Sequence, residues 1–151
     1  NELGERIRQA GKEFGTVTGR GRRVGWLDLV LLRQSARLNS LSGLVVTRLD
    51  VLSGMGPLQV ATSYRLDGAT IETVPQDAAR FERCDPIYET LPGWDEDLTG
   101  CRSWDDLPEN AQMYLRFIEE RIGVPIAVLS IGPARDQTIV LQPSAVWDHT
   151  P

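Results

Sequence analysis

Three short segments hold residue types that can grip an anion or read a planar ligand. In the first, Gly15-Thr16-Val17-Thr18-Gly19-Arg20-Gly21-Arg22-Arg23, three arginines and several glycines follow two threonines. Glycine lets backbone N–H groups come close to an anion, and threonine adds a hydroxyl donor. A guanidinium fork pairs with carboxylate or phosphate through two parallel hydrogen bonds. A solvated surface loop has the same composition, because short arginine clusters are common on surfaces. The chain contains no Gly-x-x-x-x-Gly-Lys-Ser/Thr pattern, so a phosphate contact here is not a self-contained phosphate loop.

The second segment, Thr47-Arg48-Leu49-Asp50, closes an apolar run that reads as a strand covered on both faces. Strand ends are where open α/β sheets present ligand-binding residues. A carboxylate placed there can accept from the N1–H and the exocyclic N2–H₂ of guanine, a donor pair that adenine lacks, while a cation's long stem lies along the base. The plainer role for Asp50 is an Asx turn. The third segment, Ser130-Ile131-Gly132, ends another apolar run. It offers a hydroxyl and backbone groups to a base or ribose, or simply enters a turn. Asp95, Glu96, Asp97, Asp105 and Asp106 form a solvated acidic stretch without a nearby histidine, so no acid–base role is assigned to them. Trp94 and Trp104 read as packing residues.

The elements that must position these segments follow from periodicity. Glu2 to Ala10 reads as a short helix, and Leu27 to Leu38 as a second, with Leu27, Val30, Leu31 and Leu38 on the face that packs on a sheet. Gly43 to Thr47 is a strand. Leu58 to Leu66 alternates with period two, Asp67-Gly68 supplies a tight hairpin turn, and Ala69 to Val74 returns as its partner. A polar helical turn near Asp77 to Arg83 precedes a strand around Pro86 to Leu91 that a Pro-Gly break closes. Leu107 to Gly123 is the clearest helix, with Pro108 in its first turn, Ala111, Leu115, Ile118 and Ile122 as its buried stripe, and Gly123 with Pro125 as its stop. Ile126 to Ile131 and Thr138 to Leu141 are the last strands.

With 151 residues, 41% of them hydrophobic and 25% charged, the chain has the balance of one globular domain. A net charge of -5 argues against sequence-blind nucleic-acid binding, which draws its affinity from phosphate neutralisation. Two cysteines, Cys84 and Cys101, and the sole histidine, His149, make no zinc pattern. Nothing reads as a signal peptide or a bilayer span, so the expected setting is cytoplasmic, without a membrane partner and with both thiols reduced. The chain opens on Asn1, in what reads as mid-helix, and is expected to be a piece of a longer protein.

Taken in order, Glu13 through Asp28, Thr47 through Leu52, Pro86-Ile87-Tyr88-Glu89-Thr90-Leu91-Pro92-Gly93-Trp94, Leu107-Pro108-Glu109-Asn110-Ala111, Gly123-Val124-Pro125-Ile126, Gly132-Pro133 and Gln137-Thr138-Ile139 resemble the C-terminal region of the adenylosuccinate synthetase family. The resemblance covers essentially the whole chain. It implies an α/β fold, the C-terminal part of a mostly parallel P-loop-like sheet with helices and an antiparallel hairpin excursion. It also implies a GTP- and Mg²⁺-dependent ligase that joins L-aspartate to IMP through a 6-phosphoryl intermediate, assembled as a homodimer. Thr16, Val17, Thr18, Gly19, Arg20, Gly21 and Arg22 would then close over aspartate, with Arg20 also reaching IMP and Arg22 contacting GTP. Arg48, Leu49 and Asp50 would form the guanine pocket, and Ser130, Ile131 and Gly132 would complete it.

Two positions depart from the family pattern. Arg48 stands where lysine is usual, and Gly21 separates arginines that are otherwise joined by proline or arginine, which raises the ordering cost of loop closure. In the family the catalytic aspartate, the histidine acid, the phosphate loop and the Mg²⁺ site belong to N-terminal segments. The chain by itself is therefore expected not to catalyse. The alternative is an excised module that binds guanine nucleotide and does nothing further.

Overall fold

The computed structural model describes residues 26–141. The expected helix Glu2 to Ala10, the loop Thr16 to Arg23 and His149 lie outside the described residues. The chain divides into two compact units, one that includes residues 26–39 and 58–91 and one that includes residues 40–57 and 92–141.

In the first unit, β1 (Leu27–Asp28) leads directly into α1 (Leu29–Leu38). The helix begins two residues later than its apolar spacing predicts because Asp28 is its cap: the carboxylate accepts from the N–H groups of Val30 and Leu31, at 2.9 and 3.1 Å. The hydroxyl of Tyr64 donates to the other carboxylate oxygen. Leu29, Val30 and Ala36 are buried and the helix packs on β3 (Leu58–Leu66). Leu38, which the spacing places on that buried face, is instead 75% exposed. It lies two residues beyond Ala36, about 200° round the helix, so burying Ala36 turns Leu38 outward.

Strand β3 is the spine of this unit. Leu27 and Asp28 pair with Val60 and Ala61 in parallel. Asp67 and Gly68 both adopt positive φ, 51° and 84°, giving a two-residue turn whose twist suits a hairpin and returning the chain as β4 (Ala69–Ile71). The short helix α2 (Ala78–Glu82) is capped by Asp77, and β5 (Asp85–Leu91) runs antiparallel along β3.

The second unit is built on β2 (Leu44–Val46) and β6 (Ile126–Ser130), which pair in parallel, with β7 (Thr138–Val140) antiparallel on β6. Helix α3 (Glu109–Ile122) buries the expected stripe of Ala111, Leu115, Ile118 and Ile122, together with Tyr114. Gly123 ends it at φ 77°, a left-handed conformation that glycine adopts without penalty. Pro108 sits one place earlier than predicted, as the cap residue. Trp94 is buried, donates from its indole N–H to Ser53 Oγ at 2.9 Å, and meets Tyr114 edge-on at 5.8 Å. It is a packing residue, as its sequence context indicates.

The fold is mixed α/β, as expected. Among the described residues two pairings are parallel, β1 with β3 and β2 with β6, and three are antiparallel. The tight turns at Asp67-Gly68 and at residues 131–137 are too short for a parallel crossover, so they force antiparallel neighbours.

Candidate functional site

In the second unit the parallel register of β2 and β6 brings Val46 opposite Leu129. The two segments singled out by residue type, Arg48-Leu49-Asp50 and Ser130-Ile131-Gly132, therefore leave neighbouring strand ends together, although about eighty residues separate them in the chain. The 3-10 turn Leu49–Leu52 packs on β6. Leu49 and Ile131 are 1% and 0% exposed, so their side chains anchor this edge in the core.

The turn begins at Arg48, which takes a left-handed backbone, φ 54° and ψ 49°. For a non-glycine residue that conformation costs on the order of 1 kcal/mol. It bends the chain out of the strand and lets the side chain of Arg48 reach back over its own turn. There its guanidinium forks onto Asp50: Nε donates to Oδ1 and Nη2 to Oδ2, each at 3.0 Å. Both side chains are largely enclosed, at 16% and 14% exposure. Rather than serving a simple Asx turn, the carboxylate of Asp50 is turned toward Arg48 in a two-point ion pair.

At the end of β6, the hydroxyl of Ser130 donates to the carbonyl of Gly132 at 3.1 Å. A residue that sequence reasoning does not single out, Gln137, ties this loop shut. Its carbonyl accepts from Ile131 N, its N–H donates to Ala134 O, and its side-chain Oε1 accepts from Ala134 N, at 2.9, 3.0 and 2.9 Å. A Cβ added at Gly132 would lie 2.2 Å from Gln137 Oε1, so any larger residue there must push the glutamine side chain aside. No local pattern announces that contact, because it depends on how β7 folds back on β6.

The acidic stretch behaves as read from sequence. Asp97 accepts from the N–H and hydroxyl of Thr99, which hold its carboxyl below the usual range. Asp106 accepts from the N–H groups of Arg102 and Ser103, with the same effect. These carboxylates cap local turns. A cavity of about 640 Å³ in the first unit, lined by residues including Gln34, Arg37, Pro75 and Arg80, contains none of the residues singled out from the sequence. Among the described residues no group of three or more His, Cys, Asp or Glu is placed to hold a metal ion. No helix among them is long and apolar enough to cross a membrane.

An α/β unit whose parallel strands end in an ion-paired carboxylate on one side and a serine-glycine turn on the other has the layout of a ligand-binding edge. Residues 1–139 match the family model for adenylosuccinate synthetase, and the chain belongs to that family. It is 54% identical over 139 residues to the adenylosuccinate synthetase of Moorella thermoacetica, covering 92% of this chain and 33% of that protein. With the enzyme of Desulfatibacillum aliphaticivorans it shares 51% identity over 142 residues, 94% of this chain and 33% of the other. The structure of fully ligated adenylosuccinate synthetase from Plasmodium falciparum superposes with a TM-score of 0.83 at 36% identity, covering 93% of this chain and 34% of that one. The chain thus spans about a third of the length of the curated relatives it matches.

Proposed function

We propose that this chain supplies the guanine pocket of a GTP-dependent ligase that joins L-aspartate to IMP, a step of purine biosynthesis. The observation that supports this most is that β2 and β6 end side by side, with the turn carrying Asp50 packed on the strand that leads into Ser130 and Gly132, in a chain of this family. Asp50 accepts from the guanine N1–H and N2–H₂, a pair of bonds that adenine cannot make, and Arg48 contributes its stem to the base. Ser130 and the backbone of Ile131 and Gly132 close the other side, while Leu49 and Ile131 hold the pocket to the core.

Thr16, Val17, Thr18, Gly19, Arg20, Gly21 and Arg22 complete the reading as the loop over aspartate, with Arg20 on IMP and Arg22 on GTP. Two guanidinium groups in one loop suit substrates carrying carboxylate and phosphate. The described residues recognise the substrates rather than make or break bonds. Homodimer assembly in the cytoplasm belongs to the same proposal. The test is adenylosuccinate formation from IMP and L-aspartate by the protein carrying this chain, with GTP or ATP supplied at equal concentration. Product with GTP and little with ATP is expected; equal use of both would refute the guanine assignment.

A further inference from the structure

The ion pair of Arg48 with Asp50 holds both carboxylate oxygens at 3.0 Å through a two-pronged guanidinium. Guanine presents the same figure, two parallel N–H donors on one edge. A carboxylate meets such a fork with the two lone pairs that point forward together. Its other two lone pairs diverge and cannot serve a second fork. One Asp50 therefore accepts Arg48 or guanine in this way, not both.

We infer that Arg48 is an intramolecular competitor for the guanine site, a latch whose guanidinium occupies the acceptor positions of Asp50 until the base displaces it. This rests on the reading of Asp50 as the guanine acceptor. The left-handed backbone of Arg48 fits the same picture, since it swings the side chain onto a residue only two positions away, and such conformations persist where neighbouring contacts hold them. A lysine at this position would carry one ammonium and could not present a fork. Once displaced, the arginine stem is free to lie along the base, so the latch lowers apparent affinity without removing the stacking contact. A partly enclosed pair of this kind favours the closed state by roughly threefold to tenfold, and apparent affinity falls by the fraction of sites left open.

GDP titrated calorimetrically into the protein carrying this chain, as wild type, Arg48→Lys and Asp50→Asn, separates the possibilities. Arg48→Lys keeps the stem and the charge and removes the fork, and it is expected to bind GDP about threefold to tenfold more tightly. Asp50→Asn is expected to bind at least about tenfold more weakly. If Asp50→Asn weakens binding while Arg48→Lys is unchanged or weaker than wild type, the latch is refuted and the guanine reading stands. If Asp50→Asn leaves GDP affinity unchanged, the guanine reading fails and the latch falls with it.

Discussion

Replacing Gly132 with alanine probes how the serine-glycine side of the pocket is held. Gly132 has no positive φ to lose; what it lacks is space. A new Cβ would stand 2.2 Å from Gln137 Oε1 and 2.5 Å from Cδ, far inside contact distance, but the obstacle is the end of a flexible side chain rather than backbone. Gln137 can swing away at the expense of the 2.9 Å bond from Ala134 N to Oε1. Ala134 is exposed, so water takes over that bond and the net loss is about 0.5–1.5 kcal/mol, or roughly 2–5 °C in melting temperature for a chain of this size. The loop then loses its side-chain tie while keeping its backbone bonds from Ile131 and Gln137, and GDP affinity is expected to fall about threefold to tenfold from the added ordering cost. The check is a double-mutant cycle by thermal melting and GDP titration. In a Gln137→Ala background the obstacle is gone, and Gly132→Ala should cost at most about a few tenths of a kcal/mol. Equal cost in both backgrounds would refute the steric account.

Gly93→Ala makes the contrasting case, because its Cβ would meet the backbone oxygen of Gly56 at 2.0 Å. Backbone cannot step aside, so a loss of about 3 kcal/mol or more is expected; a melting temperature within a few degrees of wild type would contradict the packing described. Asp106→Asn tests the cap before α3. The N–H groups of Arg102 and Ser103 hold the Asp106 carboxyl below its usual range, so its contribution is fully present above the ordinary aspartate value and is lost as pH falls through the depressed folded one. Melts at about pH 7 and about pH 3 should show the variant's deficit at the higher pH and its shrinkage at the lower.

Much of this architecture is legible in the chain because it is written locally. The stripe from Ala111 to Ile122 with Gly123 after it, and the alternation from Leu58 to Leu66 followed by Asp67-Gly68, each carry their period and their stop within one segment. Leu38 misleads because apolar spacing counts from Leu27, whereas the cap at Asp28 shifts the helix on which the spacing must be measured. The candidate residues at 48–50 and 130–132 are recognisable by type and by their place after apolar runs. Their adjacency is not, since parallel pairing of β2 with β6 joins segments separated by α3 and most of the chain, and no local period specifies a long-range partner. The fork of Arg48 on Asp50 is equally hidden: it needs a left-handed backbone at an arginine, which residue preferences oppose.

The central claim, that Asp50 reads guanine, is tested most directly by exchanging its carboxylate for an amide. The side chain introduced by Asp50→Asn keeps one acceptor for N1–H and sets a donor where guanine's N2–H₂ also donates, a clash that xanthine relieves by carrying a carbonyl there. Dissociation constants of GDP and xanthosine diphosphate for wild type and Asp50→Asn should reverse in order, GDP tighter in the first and the xanthine nucleotide tighter in the second, each by about tenfold or more. An unchanged preference for GDP in the variant would contradict the account.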